Sequence, residues 1–151
     1  MVLEDGDKIF FSMTPTTEQK WHLVVKTEGL ELDQHFELHD SLMWAQPLTS
    51  DFVKYFYTHK TLALPMQGSY KINGVAQECD NKCLMTQDSF KSNPVYPVNY
   101  FFATMQQRLS DGRSFGISMG DGMGTDLAEK LSNEDFLTLD GKAYKLDLTV
   151  V

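Results

Sequence analysis

Long apolar runs and an excess of positive charge are both missing from this sequence. Its 151 residues contain 13 Lys and Arg against 21 Asp and Glu, which gives a formal net charge of −8. Such a chain repels the phosphate backbone of nucleic acids on average, and no apolar run approaches the roughly 20 residues of a membrane-spanning helix. We therefore expect neither nucleic-acid binding nor a membrane span.

The opening residues, MVLEDGDKIFF, lack the basic and apolar regions of a secretory signal peptide. The composition, with 42% hydrophobic and 23% charged residues, is ordinary for a globular protein. No Pro-, Gly- or Ser-rich linker divides the chain, so residues 1–151 are expected to form a single domain. The lack of a targeting signal predicts a location in the cytoplasm or an organellar matrix.

Cysteine is scarce, because Cys79 and Cys83 are the only two in the chain. A zinc site needs two further ligands, and no Cys or His pair follows at the spacing of a metal site. Cysteines in a reducing compartment generally stay reduced. We predict that both are free thiols.

Polar side chains recur at every second position in one strand-like run, at His35, Glu37 and His39. Residues two apart on a strand are separated by about 6.6 Å, so the outer two lie about 13 Å apart. One metal ion cannot bind all three, and a site here would need a ligand from a neighbouring strand. The pattern favours a solvated face, and no metal or other cofactor is predicted.

Hairpin turn signals are the strongest local feature of the chain. They occur at Asn73-Gly74, Asp111-Gly112 and Asp140-Gly141, with a further turn at Glu28-Gly29. Asn-Gly and Asp-Gly supply the positive φ of a type I′ turn, and the runs between them, such as LELDQHFEL and AYKLDLTV, alternate with a period of two. This predicts an all-β, antiparallel sandwich or up-and-down barrel of about nine or ten strands. Helical signal is confined to TDLAEKLSNED and a possible turn in PLTSDFVKYF.

The segment FGISMGDGMGTDLAEKL resembles a phosphate-binding loop in its repeated glycines, but the spacing of those glycines and the residues that follow them do not match such a loop. Gly120, Gly122 and Gly124 are followed by Thr-Asp-Leu, whereas a P-loop continues with Lys and then Ser or Thr. A dinucleotide-binding motif needs G-x-G-x-x-G between a strand and a helix. We interpret these glycines as a structural turn, where a strand bends or another backbone approaches closely.

Candidate catalytic residues lie in FYTHKTLALPMQG, which contains Tyr57, His59 and Lys60. His59 and Lys60 are the candidates for acid–base chemistry, because His titrates near neutrality and a desolvated Lys can do so as well. Adjacent residues on a strand point to opposite faces, so the two are not expected to enter one pocket.

Aromatic residues concentrate in YPVNYFFATM, where core packing is the simplest explanation. On an inward-facing barrel strand, Tyr100 and Phe102 would instead line an apolar cavity, and a barrel of about eight strands has room for one small ligand. The predicted ligand-binding residues are Tyr57, His59, Tyr100, Phe102 and Met119.

Three segments, FYTHKTLALPMQG, RSFGISMGDGMGTD and EDFLTLDGKAYKL, resemble in this order motifs of a large family catalogued as a domain of unknown function. Members of that family carry a Tyr-Asn-His-Lys run, a glycine-rich Phe-Gly stretch and an Asp-Gly-Lys-Ala-His-Lys-Leu stretch. The matching positions are Tyr57, His59, Lys60, Pro65 and Gly68; Phe115, Gly116, Gly120, Gly122 and Gly124; and Glu134, Asp140, Gly141, Lys142, Lys145 and Leu146. The resemblance implies an antiparallel barrel like that of lipocalin-type two-barrel proteins, which include carotenoid hydratases, tocopherol cyclases and fungal cyclisation enzymes.

The chain departs from the family pattern in two ways. Where the family has Asp-Trp-Gly-x-Gly and further tryptophans, this chain has QDSFKSNPVYPVNYFF and keeps Asp88; Ser118 replaces the family's Asn. The similarity also corresponds only to the interior of the family pattern, so strands expected on both sides are missing. Because open strand edges are usually covered, we expect either a smaller closed barrel or pairing with another copy or another subunit.

Three functions follow as hypotheses. The first is a non-catalytic barrel that binds an apolar small molecule or lipid in its interior, and the second is a structural subunit of a larger assembly. The third is a cyclase, isomerase or hydratase that acts on an apolar substrate through His59, Lys60 or a carboxylate.

Overall fold

The computed structural model describes residues 2–5, 9–47, 53–93, 101–121 and 134–146. These ranges contain eleven strands: β1 (Val2–Asp5), β2 (Ile9–Pro15), β3 (Lys20–Thr27), β4 (Leu30–Glu37), β5 (Leu42–Pro47), β6 (Tyr55–Ile72), β7 (Val75–Asn93), β8 (Phe101–Arg108), β9 (Ser114–Asp121), β10 (Phe136–Leu139) and β11 (Lys142–Lys145). The strands pair antiparallel, and none of these residues is helical, so nothing in them forms a helix that could cross a bilayer. The predicted all-β antiparallel fold is therefore confirmed.

The helical predictions fall largely outside this part of the chain. Most of TDLAEKLSNED, in residues 125–135, lies outside the described residues. Of PLTSDFVKYF, only the two ends are described, and they belong to β5, a bend and β6.

The chain divides into two compact units, residues 1–39 with 64–85 and residues 40–63 with 86–151. The first unit holds the strand order β1-β2-β3-β4-β6, in which β4 pairs with the second half of β6. In the second unit, β5 pairs with the first half of β6, and a four-stranded sheet has the order β11-β10-β9-β8. The long strand β7 pairs with β6.

Two of the predicted type I′ turns are confirmed by positive φ at both turn residues. The angles are 49° and 84° at Asn73 and Gly74, and 50° and 81° at Asp140 and Gly141. The type I′ prediction is wrong for Asp111-Gly112, where only the glycine has a positive φ, of 87°. There the N–H of Gly112 donates to the carbonyl of Leu109 (2.9 Å), which makes a longer loop with a left-handed glycine at its end.

The first unit is built on strands with one buried and one solvated face. On β4, Gln34 and Phe36 are buried, whereas the residues between and beside them are exposed, as the period of two predicts. Phe36 packs with Leu64 and Met66, and the partly buried neighbours of this cluster are Met13, Trp21, Leu23, Leu38, Cys83 and Met85. The Nε2 of the buried Gln34 donates to the carbonyl of Ser69 (2.7 Å), while its Oε1 has no hydrogen-bond partner among the described residues.

The prediction of two free thiols is wrong, because Cys79 and Cys83 form a disulfide within β7. Residues four apart on a regular strand would be separated by about 13 Å, yet their Cα atoms are 5.4 Å apart. The strand must therefore bulge between them, and this bulge is what the spacing alone did not reveal.

Candidate functional site

Strand β9, in the four-stranded sheet of the second unit, buries its small residues and leaves its apolar residues on the more open face. On β9 the buried positions are Ser114, Gly116, Ser118 and Gly120, and the partly exposed ones between them are Phe115, Ile117 and Met119. A sheet with one core face normally shows the reverse pattern, with apolar side chains inward. The exposed apolar face therefore calls for an explanation other than packing within the sheet.

Close approach of β6 explains why the buried face of β9 is made of small residues. A Cβ atom on Gly116 would lie 2.7 Å from the Cβ of Leu62 and 3.0 Å from the Oγ1 of Thr138. The Thr138 hydroxyl in turn donates to the carbonyl of Leu62 (3.2 Å). Gly116, which was not among the glycines interpreted as a turn, therefore lies where the side chains of β6 and β10 leave no room for a Cβ atom.

Gly120 also lies within β9 rather than in a turn. It is paired with Phe102, and its N–H donates to the Oδ1 of Asp135 (2.8 Å). Gly122 and Gly124 lie outside the described residues.

The opposite face of the four-stranded sheet carries a continuous apolar row. Strand register places Met105, Ile117, Leu137 and Tyr144 side by side across β8, β9, β10 and β11. The remaining apolar residues on this side are Phe101, Ala103, Phe115, Met119 and Leu139. We call these nine residues the apolar face; Phe101, Met105 and Tyr144 are its most exposed members, with Met105 53% exposed.

A second feature of the same unit is a buried lysine between two carboxylates. Strand alternation in β6 turns Lys60 inward, where its Nζ lies 2.9 Å from the Oδ2 of Asp88 and 2.6 Å from the Oε2 of Glu134. The ammonium also lies 3.9 Å from the centre of the Phe102 ring, within range of a cation–π interaction. These four residues are the Lys60 cluster.

The Lys60 cluster contains two carboxyl groups and one amine. Glu134 is 2% exposed, and its carboxylate oxygens accept no hydrogen bond from the described residues, so the ion pair with Lys60 is what stabilises it. The other oxygen of Asp88 accepts the hydroxyl of Thr58 (3.1 Å). Because a buried charge is costly unless it is compensated, the cluster favours an additional cation or hydrogen-bond donor near Glu134.

Solvent reaches the cluster from the side of Asp88, whose side chain is 34% exposed, whereas that of Lys60 is 4% exposed. Beside it, Phe90 is exposed and stacks on Phe56, with ring centres 6.4 Å apart. Phe56 also contacts Trp44 at 5.3 Å. Phe56 lies four residues before Lys60 on β6 and Phe90 lies two residues after Asp88 on β7, so strand alternation places each on the same strand face as its neighbour in the cluster.

Comparison with known proteins gives a family assignment. Residues 4–151 match the family model described as Domain of unknown function (DUF2804). The chain belongs to this family. The resemblance noted in the sequence is confirmed at that level, while the lipocalin-like relation stays a prediction. Neither a curated protein nor a solved structure matches the chain.

In this DUF2804 member, the two candidate acid–base residues point in opposite directions, as strand alternation requires. Lys60 lies in the cluster, whereas the ring of His59 lies on the other face of β6, with its Nε2 2.8 Å from the Oγ of Ser41. Tyr57 shares that outer face and donates its hydroxyl to the sulfur of Met43 (3.3 Å).

The predicted ligand-binding residues of the DUF2804 chain are not gathered at one place. Phe102 covers Lys60, whereas Met119 lies on the opposite side of the same sheet, in the apolar face. Tyr57 and His59 lie on the outer face of β6, and Tyr100 lies outside the described residues. The two sides of the sheet are therefore separate candidate surfaces.

Sequence reasoning missed the partners of Lys60. The sequence does not link Asp88 or Glu134 to Lys60, because 28 residues separate Lys60 from Asp88 along the chain and no local pattern joins them. The available signal was the acidic pair Glu134-Asp135 directly before the strand Phe136–Leu139, since two adjacent carboxylates rarely enter a strand without partners.

Proposed function

We propose that this chain binds an apolar small molecule or lipid through the apolar face of its four-stranded sheet. The row formed by Met105, Ile117, Leu137 and Tyr144 is the observation that carries the proposal. Contiguous exposed apolar surface is uncommon on monomeric proteins and usually marks an interaction site. The other side of the sheet is already occupied by β6, so the apolar side is the one available to a ligand.

The energetics of the face support an apolar ligand. Covering an exposed side chain the size of Met105 contributes about 1.5–3 kcal/mol through the hydrophobic effect. None of the four side chains in the row is charged, and the ammonium of Lys142 lies at one end of it, 5.6 Å from the centre of the Tyr144 ring. A molecule with a long apolar body fits this surface better than a polar one. The net charge of −8 would also repel an anionic ligand.

Titration with Nile red, an uncharged apolar probe, tests the proposal. We expect saturable binding that an unlabelled long-chain alcohol reverses. Replacing Met105 with Gln removes apolar surface from the middle of the row, and we expect it to weaken binding about tenfold.

Met43→Gln is the matched control, because Met43 is also an exposed methionine (66%) but lies on β5, away from the apolar face. Fluorescence that never saturates, or equal weakening by both substitutions, contradicts the proposal.

A second candidate function is proton transfer by the Lys60 cluster, as in cyclases, isomerases and hydratases of apolar substrates. The observation that favours it is the buried Glu134 carboxylate, which receives no hydrogen bond from the described residues and contacts the ammonium of Lys60. Such a pair supplies a proton donor and a proton acceptor in one place, and general acid–base catalysis typically contributes about 10²–10⁴-fold to a rate.

A screen of apolar substrates would test this second candidate. Glu134→Gln keeps the shape of the side chain, and we expect it to lower kcat of any activity found by about 100-fold or more. His59→Ala should leave that activity intact, because His59 lies on the other face of β6. An activity lost in His59→Ala and kept in Glu134→Gln would contradict the assignment.

A further inference from the structure

The hairpin of β3 and β4 in the first unit brings two histidines and an aspartate together. His22 and His35 are directly opposite in the strand register, and their rings stack with centroids 4.3 Å apart and planes at 9°. Asp33 lies two residues before His35 and therefore on the same face, with its Oδ1 2.7 Å from the Nε2 of His22. One nitrogen or oxygen from each of the three lies within 4.8 Å of the others.

We propose that His22, Asp33 and His35 form a binding site for a divalent transition-metal ion, with Zn²⁺ as the preferred ion. Imidazole nitrogen and carboxylate oxygen are ligands that zinc accepts, and two histidines with one carboxylate is the donor set of several zinc enzymes. Three protein ligands leave a fourth position for water or another small ligand. Two imidazoles favour Zn²⁺ over Ca²⁺ or Mg²⁺, which prefer oxygen alone.

Because an imidazole nitrogen binds a metal ion in the plane of its ring, the stacked rings of His22 and His35 must rotate apart for both to bind one ion. Zinc–ligand bonds of about 2.0–2.2 Å place tetrahedral ligand atoms roughly 3.4 Å apart. The present separations range from 2.7 Å, between His22 and Asp33, up to 4.8 Å. All three side chains are at least partly exposed, so their rotamers can adjust without disturbing the core.

The surroundings of the site are compatible with a cation. In the same row of the sheet, β2 places Thr14 beside His22, and β6 places Gln67 beside His35, so the nearest cross-strand neighbours are uncharged. The nearest lysine in register, Lys20, contacts Glu37 at 4.0 Å. This site differs from the His35, Glu37 and His39 set considered from sequence, because the required ligand from a neighbouring strand is His22.

Calorimetric titration of the wild-type chain with ZnCl₂ tests the proposal. We expect one zinc ion per chain. The variants His22→Gln, His35→Gln and Asp33→Asn should each lose at least about tenfold to a hundredfold in zinc affinity, because losses of this size follow even when a residue that only hydrogen-bonds to a metal ligand is replaced. Glu37→Gln is the matched control, because Glu37 is an exposed carboxylate on the same face of β4 and is not one of the three ligands. Its zinc affinity should equal that of the wild type.

Ring-nitrogen NMR gives a second readout that does not depend on variants. Zinc should shift the ¹⁵N resonances of His22 and His35 and leave those of His59, in the second unit, unchanged. Equal zinc affinity in wild type and the His22 or His35 variants would overturn the proposal, and so would loss of binding in Glu37→Gln. Affinity weaker than about 1 mM in the wild type would overturn it as well.

Discussion

Single side chains decide how closely β9 approaches β6 in the second unit. Gly116 leaves the space that Leu62 and Thr138 fill, and Ser118, the next inward residue, is buried with no hydrogen-bond partner for its hydroxyl among the described residues. The same face of one strand thus contains a position where an added methyl group has no room and one where a polar atom is unpaired.

Gly116→Ala should destabilise the fold. The new Cβ would lie 2.7 Å from the Cβ of Leu62, and overpacking of this kind typically costs about 1–3 kcal/mol. Urea denaturation measures the free energy of unfolding. Ser118→Ala is the control, because it also introduces alanine on the inward face of β9, two residues further along. It removes an unpaired hydroxyl and adds no atoms, so the free energy of unfolding should stay the same or rise. Equal destabilisation by both would contradict the close approach.

The loop between β8 and β9 contains a pair whose ionisation is measurable. The pKa of the exposed Asp111 carboxyl is lowered chiefly by a hydrogen bond from the Arg113 side chain. A hydrogen bond from the Arg113 backbone lowers it further. The Nε of Arg113 donates to the Oδ2 of Asp111 at 2.8 Å, and its N–H donates to Oδ1 at 3.1 Å. Because the pKa is lower in the folded chain, the pair stabilises the fold above the unfolded pKa, and this contribution is lost as the pH falls.

Arg113→Gln should therefore raise the pKa of Asp111 toward its ordinary value. A carboxyl ¹³C titration by NMR measures it residue by residue. The pKa of Glu31, which is lowered chiefly by a hydrogen bond from Lys71, serves as the internal control and should not move. An unchanged Asp111 titration in the variant would show that the pair is not formed in solution.

At the scale of elements, two strands depart from a simple alternating ribbon. In β9 the inward positions are Ser and Gly and the partly exposed ones are Phe, Ile and Met, so the hydrophobic period of two is present but faces away from β6. In β7 the disulfide closes a bulge over Cys79–Cys83. A hydrophobic period of two places alternate residues on opposite faces of a strand but does not specify which face is covered.

Reduction of the disulfide should have a modest effect on stability. Closing a loop of only five residues removes little entropy from the unfolded chain, and the chain-entropy relation gives about 2 kcal/mol. Urea unfolding with and without a reductant measures the difference, and the Cys79→Ser, Cys83→Ser double variant should no longer respond to the reductant. Two thiols alkylated in the native, unreduced protein would contradict the bond.

On the scale of the whole molecule, an acidic chain carries a partly exposed apolar face. Its net charge of −8 opposes association, whereas the row across β8 to β11 favours it. The ligand-binding and structural-subunit hypotheses differ in what covers this face, since the first requires a small molecule there and the second another subunit. The strength of self-association therefore distinguishes them.

Light scattering over a range of protein concentrations tests this balance. We expect weak self-association that rises with salt, because salt screens the charge repulsion, and that falls when an apolar ligand occupies the face. Met105→Gln should reduce it and Met43→Gln should not. A tight dimer that survives both Met105→Gln and an added ligand would favour the structural-subunit hypothesis instead.

The sequence by itself determined the all-β antiparallel class, the solvated face of β4 and the tight turns at Asn73-Gly74 and Asp140-Gly141. These depend on local properties, namely the φ preferences of a few residues and the two-residue period of a strand. It also carried enough of the family pattern for the chain's membership to be recognised, although not its function.

Only the tertiary structure decided which distant residues meet. The Lys60 cluster joins β6, β7 and the residue before β10, and the proposed zinc ligands depend on the register that sets His22 opposite His35. Register and sheet packing are properties of whole strands, and a shift of one residue moves every side chain to the other face. For that reason the residue types were visible in the sequence, but their meeting points were not.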